Sequence, residues 1–361
     1  MSSDSAAADM ISERARDYLR GKRVLVTGAC GTVGKQLVRQ LVERFEVGSL
    51  IGIDHNESEL VFLEERYRGY PHARFLLCDI RDQAALLRET RRVGVLFHAA
   101  AYKHVYMCER SPLEAIQTNV LGVQNVVQAA IENGVARLVF TSSDKAVNPP
   151  NVMGTSKLMG ERLVTAAAID PNHAGTVFLS TRFGNVLGSR GSVIPIFREQ
   201  IRQGGPVTLS DPAMTRFIMS LDEAVRLVIE SAVLGQPGDV LITKMPAIRI
   251  QDLAEVMIRD YAPRCGRSPQ DIALEVVGPK AGEKIYEELM NEEETRRSFE
   301  LERYFVVRPA MAPPFVDAPP YEGPRGGSVT LPYNSANVEP LSQEQLATFL
   351  NANRLLEDER D

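Results

Sequence analysis

Ser143-Asp144-Lys145 set a hydroxyl, a carboxylate and an amine side by side, and Lys157 follows further along the chain. An acid next to a base can hand one proton to a leaving hydroxyl and take another from carbon. Those are the two transfers that elimination of water requires. The pair works this way only where the chain turns; otherwise Asp144 and Lys145 read as a surface ion pair. A second chemical group is the run Thr27-Gly28-Ala29-Cys30-Gly31-Thr32-Val33-Gly34. Gly28 permits a tight turn, Gly31 lets backbone approach a pyrophosphate, and Gly34 allows close helix–sheet packing. The helix that starts there offers free N–H groups to phosphates.

The elements that must position these groups follow from hydropathy. Short apolar, β-branched runs predict strands at Arg23–Thr27, Leu50–Asp54, Arg74–Cys78, Val93–His98, Arg137–Ser142 and Val177–Arg182. Several are apolar throughout, as parallel strands covered on both faces must be. Helical stripes alternate with them: Leu37, Val38, Leu41, Val42 and Phe45 mark a helix over Lys35–Phe45. Another is predicted from Ser111 to Gly134, opened by a capping box between Ser111 and Glu114. The fold class is therefore α/β, a Rossmann-type doubly wound parallel sheet with a smaller C-terminal substrate-binding lobe. The expected organisation is an N-terminal extension over 1–20 and a dinucleotide-binding domain over 21–183. An interleaved lobe over 184–307 carries helices at Leu221–Leu234 and Ile250–Tyr261. A tail over 308–361 comprises a proline-rich loop and a helix near Ser342–Leu356.

On that scaffold Asp54 ends the second strand. Its carboxylate there accepts from the adenosine ribose hydroxyls and repels a 2′-phosphate, which favours NAD over NADP. Asp79, followed by Ile80, ends the third strand and meets the adenine, and Ala99-Ala100-Ala101 forms a floor of small residues.

The 361 residues are 44% hydrophobic and 24% charged, with net charge −6, the balance of a soluble globular chain. Lysine and arginine are scattered, which leaves no footprint for nucleic acid. Four cysteines without a CxxC pair and five histidines without ligand spacing predict neither disulfides nor a metal site. The N-terminus lacks a signal-peptide pattern and no stretch is apolar enough to span a bilayer, so a cytoplasmic protein without membrane contact is expected.

The glycine spacing together with Lys157 resembles the extended short-chain dehydrogenase/reductase family. In that family a Tyr-x-x-x-Lys motif lies on the helix after the fifth strand, and here methionine, Met153, occupies the tyrosine position. A simple alcohol dehydrogenase or epimerase would lose its main acid/base that way. Longer stretches are similar to bacterial UDP-N-acetylglucosamine 4,6-dehydratases, some of which share the methionine. These stretches are His98–Val105, Thr118–Gly122, Ser143–Pro149, Asn151–Gly154, Arg182–Pro195, Met214–Phe217 and Gly282–Lys284. The tail Tyr333–Asn337 with Leu341 resembles the family's soluble members, including those that epimerise C5.

The resemblance implies a tightly bound NAD, regenerated in each turnover, held by Thr27, Gly28, Gly31, Thr32, Val33, Gly34, Asp54, Asp79, Ile80, Ala99, Ala100, Ala101, Lys103, Asn119 and Lys157. It implies catalysis by Ser143, Asp144, Lys145, Met153 and Lys157, with Lys145 taking the C5 proton and Asp144 protonating the C6 hydroxyl. The nucleotide sugar would meet Lys103, Asn185, Arg190, Val193, Pro195, Arg216, Lys280 and Glu283. At Lys280 relatives often carry arginine, so the bidentate fork is lost there. A homo-oligomer, dimer or larger, is also implied. GDP-N-acetylglucosamine as substrate, inversion at C5, and a silent NAD-binding regulator are the alternatives left open.

Overall fold

A computed structural model describes residues 3–173, 175–189, 192–279, 282–311, 321 and 329–357. They form two compact units. The first comprises Met1–Phe183, Ala224–Lys244 and Met290–Pro332, the second Gly184–Glu223, Met245–Leu289 and Tyr333–Asp361.

The first unit is built on a nine-stranded sheet. Its parallel strands are β1 (Arg23–Thr27), β2 (Ser49–Asp54), β3 (Ala73–Leu77), β4 (Val95–His98), β5 (Arg137–Thr141) and β6 (Val177–Arg182). They lie in the order β3-β2-β1-β4-β5-β6, followed by Val240–Thr243, Tyr304–Val307 and Ser298–Glu300. Of these, Tyr304–Val307 runs antiparallel to both of its neighbours. Val24, Leu25 and Val26 are all fully buried, as a strand covered on both faces requires. The chain order reverses between β1 and β4, where Thr27 pairs with His98. In doubly wound sheets ligands bind in the crevice at such a reversal. Helices Gly122–Glu132 and Val152–Ile169 bring Val126, Ala130 and Val164 into one core cluster with Leu96, Leu138, Phe140 and Phe178.

Several boundaries move by a residue or two. β3 ends at Leu77, so Asp79 lies beyond the strand rather than at its end. β4 starts at Val95, one residue after the Gly94 N–H has donated to the Arg23 carbonyl of β1 (2.8 Å). The capping box expected at Ser111 does not form. A short helix, Val105–Arg110, runs into Ser111 and leaves it at φ −134°, ψ 62°, off the capping geometry, while Glu114 turns to Arg81 (3.2 Å). The helix beyond is interrupted by a π-turn at Gln117–Leu121 before Gly122–Glu132 completes it. The N-terminal extension contains a helix, Ser3–Leu19, with Ala15 and Leu19 fully buried. The proline-rich stretch falls largely outside the described residues; within it the Tyr321 hydroxyl donates to the Asp239 carboxylate.

The second unit has a three-stranded sheet of Ala247–Arg249, Thr215–Met219 and Asn185–Val186. Helices Val193–Gln203, Ile250–Tyr261 and Gln343–Ala352 close over Ile194, Phe197, Leu253, Met257, Leu346 and Leu350. The last helix opens on a capping box between Ser342 and Gln345. Among the described residues no helix is long and apolar enough to cross a membrane, and no three His, Cys, Asp or Glu side chains converge as a metal site.

The first unit is tied together by a buried charge network. Arg182, at the end of β6, donates Nε and Nη2 to Glu161 (2.8 and 2.7 Å) and Nη1 and Nη2 to Glu294 (2.8 Å each). All three side chains are essentially out of solvent. Burial opposes the Arg182 charge, but the two carboxylates raise its proton affinity further and keep it cationic. Truncating the arginine alone would strand two buried carboxylates. Arg182→Met should lower the unfolding free energy by about 3–5 kcal/mol, read as a lower urea midpoint. Adding Glu161→Leu and Glu294→Leu should recover most of that loss.

Candidate active site

The glycine loop has the geometry of a phosphate cradle. Gly28 lies at φ +69°, and a Cβ there would sit 2.6 Å from the Ala100 nitrogen. At Gly34 a Cβ would fall 1.9 Å from the Gly28 carbonyl. Gly31 caps the helix Thr32–Arg44 without any side chain over its first N–H groups, so those donors stay available to an anion. Asp54, 8% exposed, steadies the loop: Oδ2 accepts from the Cys30 N–H (2.9 Å) and Oδ1 from the Asn56 N–H (3.0 Å). Each oxygen keeps a lone pair for a ribose hydroxyl. These residues fit a dinucleotide. Burial, then the Asp54 charge, push the Cys30 thiol up to about 12, so it stays protonated and inert.

Other residues expected at the cofactor sit at or just beyond the ends of β1, β3 and β4 and in the π-turn. The Asp79 carboxylate is taken by Arg81 (2.6 Å), whose hydrogen bonds hold it below its ordinary range. The Ile80 side chain is buried and its carbonyl accepts from Asn125 (3.1 Å). Thr27 Oγ1 contacts His98 Nδ1 (2.6 Å) and accepts from the Ala100 N–H (3.2 Å). Burial lowers His98 to about 3, a neutral imidazole, and its Nε2 has no hydrogen-bond partner among the described residues. Asn119, placed by the π-turn, bonds the backbone of Tyr102 at both N–H and carbonyl (2.8 and 2.9 Å) and donates to Ser156 (2.9 Å). Ala99, Ala100 and Ala101 stay half-buried. Lys103 is exposed and lines a cavity of about 370 Å³ with Tyr102, His104 and Cys108.

Ser143, Asp144 and Lys145 do sit at a turn. β5 ends at Thr141, and Asp144–Ala146 form a single 3-10 turn capped by the Ser143 hydroxyl. The Ser143 hydroxyl also lies 2.6 Å from Asp144 Oδ1. Lys145 Nζ donates to both Asp144 oxygens (3.2 and 3.3 Å). Asp144 is 1% exposed, so this is no surface ion pair. Gly154 is required on the facing helix, Val152–Ile169, because a Cβ there would lie 2.2 Å from the Lys145 carbonyl. The same helix carries Met153, packed with Cys108 and Ala115, and Lys157.

Two residues of the second unit that were expected at the nucleotide sugar, Arg190 and Lys280, lie outside the described residues. Asn185, Val193, Arg216 and Glu283 line one cavity of about 240 Å³; Pro195, in the same helical turn as Val193, does not line it. Arg216 is fixed by the carbonyls of Thr215, Lys284 and Ile285 (2.7, 2.8 and 3.1 Å) and lies near Glu287 (3.5 Å). Phe197, Thr208 and Ser210 also line the cavity and went unnoticed in the sequence, where nothing in their spacing marks them. His98 and Ser156 were also missed, although both stand within or next to the motif stretches.

Lys157 is buried, donates Nζ to the Thr141 carbonyl (2.7 Å) and lies over the Phe140 ring. Burial lowers it to about 8 against an ordinary 10.5. Between those values the unfolded chain binds more protons than the folded one, so stability rises with pH there. The wild type should gain stability relative to Lys157→Met as pH climbs from about 8 to 10.5, measured by urea unfolding across that range. A constant difference would contradict it.

With this geometry in hand, comparison with known proteins gives consistent relatives. The family model described as polysaccharide biosynthesis protein matches residues 24–309. The chain is 42% identical to an uncharacterized membrane protein of Methanocaldococcus jannaschii, over 92% of this chain and 96% of the relative. It is 35% identical to the UDP-N-acetylglucosamine 4,6-dehydratase (inverting) of Campylobacter jejuni, over 82% and 85%. It is also 35% identical to a UDP-glucose 4-epimerase of Rickettsia felis, over 91% and 95%. Among solved structures it is similar to Pen from Bacillus thuringiensis, with TM-score 0.85 and 36% identity over 94% of this chain and 99% of that one. The dTDP-glucose 4,6-dehydratase DesIV of Streptomyces venezuelae, solved with NAD, shares the fold at TM-score 0.63 and 24% identity, over 73% and 86%. The chain thus belongs to the polysaccharide biosynthesis protein family, among the nucleotide-sugar dehydratases and epimerases of the short-chain dehydrogenase/reductase fold.

Proposed function

We propose that this chain is an NAD-dependent 4,6-dehydratase acting on UDP-N-acetylglucosamine and yielding the 4-keto-6-deoxy sugar nucleotide. The observation that carries the reading is the pairing of half-buried Lys145 with the buried Asp144 carboxylate in one turn, with Ser143 on the same carboxylate and methionine where an epimerase would need tyrosine. Gly28, Gly31, Gly34 and Asp54 hold the cofactor. When bound, NAD supplies the acceptor and later the donor of one hydride, so that C4 of the sugar becomes a ketone and the cofactor is regenerated.

The ketone acidifies C5, and the pair then needs a neutral amine and a neutral acid. As an ion pair it holds its proton on the wrong partner. One proton moved along the 3.2 Å Lys145–Asp144 hydrogen bond supplies both forms at once. Lys145 then takes the C5 proton, Asp144 protonates the C6 hydroxyl, and water leaves. Lys157, cationic below about 8, draws electron density toward the C4 oxygen. We assign the diphosphate and base to the cavity that holds Arg216 and Asn185.

A second reading, dehydration with inversion at C5, is favoured by the name of the Campylobacter relative. The test is incubation of the purified protein with UDP-N-acetylglucosamine in D2O, with no NAD added, followed by mass spectrometry and NMR. Loss of one water with solvent deuterium at C5 is the expected result, and the C5 configuration decides between retention and inversion. Turnover of the GDP sugar alone would move the substrate assignment. An epimerised sugar that keeps its water would overturn the dehydratase. Asp144→Asn and Lys145→Met should each lose at least about a hundredfold in turnover, with bound NAD unchanged.

A further inference from the structure

Each of two cations beside the loop that ends β2 is matched by a carboxylate. Lys35, in the first turn after the glycine loop, forms an ion pair with Glu59 of the helix Glu57–Arg66. Arg81 is held by Asp79 and Glu114 (2.6 and 3.2 Å). The first pair is wired into the adenosine end of the cradle. Asp54 accepts from the N–H groups of Cys30 and Asn56, and the Asn56 side chain in turn accepts from the Glu59 N–H (3.1 Å). Besides burial, the Cys30 thiol responds to Asp54, Lys35 and Glu59, in that order, which places all three charges around the same loop.

A dinucleotide with a 2′-phosphate brings two negative charges to the ribose that Asp54 faces. It can be tolerated only if a nearby cation is left for it, and lysine is an effective point charge for phosphate. Lys35 is the cation in the first turn of the glycine-loop helix, and Glu59 is paired with it. At 32% and 23% exposure the pair is worth little to stability, so its placement calls for another reason.

We propose that Glu59 is a specificity-determining residue: by holding Lys35 it bars 2′-phosphorylated dinucleotides from the cradle. This rests on the cofactor reading above and adds to Asp54, whose repulsion alone leaves Lys35 available as a counter-charge.

The experiment is competition. The purified protein is equilibrated with equimolar NAD+ and NADP+, desalted and denatured, and the retained nucleotides are quantified by mass spectrometry. Glu59→Gln should raise the NADP+ to NAD+ ratio about tenfold. Glu57→Gln removes the same charge from the same helical turn without touching Lys35, and should leave the ratio within about twofold. Adding Lys35→Gln to Glu59→Gln should return the ratio to the wild-type value. An unchanged ratio in Glu59→Gln overturns the assignment, and so does an equal rise in Glu57→Gln. A wild type that retains neither nucleotide overturns the cofactor reading and this inference with it, an outcome distinct from normal NAD+ uptake with an unmoved ratio.

Discussion

The backbones at Gly28 and Ala100 pass so close that one added methyl would collide with the Ala100 nitrogen. That approach ties the first turn of the sheet to the fourth, and a closed ring of hydrogen bonds follows from it. Thr27 meets His98 and Ala100, and Thr141 reaches the His98 carbonyl (3.1 Å). Lys157 holds the Thr141 carbonyl, and Ser156, its neighbour on the helix, receives Asn119. Asn119 returns to Tyr102, two residues beyond Ala100. The ring spans three strand ends and two helices, and its Thr27, His98, Asn119, Thr141, Ser156 and Lys157 side chains are too buried to trade partners with water, whereas Ala100 is half-buried and Tyr102 exposed.

Much of this architecture was legible because it rests on local chemistry. Arg23–Thr27 and Val177–Arg182 could be bounded to the residue from apolar runs flanked by polar residues, as could the helices Leu221–Leu234 and Ile250–Tyr261. The Gly28, Gly31 and Gly34 spacing carries its own geometry, since each glycine answers a steric demand. The parts that escaped are those decided by partners far away in sequence. Ser111 has capping chemistry, yet the preceding helix sets its dihedrals and Arg81 draws off Glu114. The π-turn that delivers Asn119 has no signature of its own. Arg182, Glu161 and Glu294 sit in three separate stretches, and only the packing of β6 against two other segments makes them a network. The cavity lining at Phe197, Thr208 and Ser210 is likewise a product of the helix Val193–Gln203 meeting the strand Val207–Leu209 and the residue after it.

That network also explains the contrast between the two lysines of the site. Lys145 faces a carboxylate at hydrogen-bond distance (3.2 Å). Lys157 has Glu161 one helical turn away, the spacing at which a lysine and a glutamate normally pair. Both Glu161 oxygens, however, are committed to Arg182 (2.8 and 2.7 Å). Glu161 therefore acts on Lys157 only through its field, which raises the proton affinity less than burial lowers it, and the amine comes to rest near 8. A phenol in the Met153 position would have given that cation a partner to activate. Here methionine packs against Cys108 and Ala115 instead, and Lys157 is left with a carbonyl and an aromatic face. Its charge is thus available to whatever oxygen approaches. Burial thus lowers Lys157, and a triad that looks purely structural, by keeping Glu161 from pairing with it, limits how far that carboxylate restores its proton affinity.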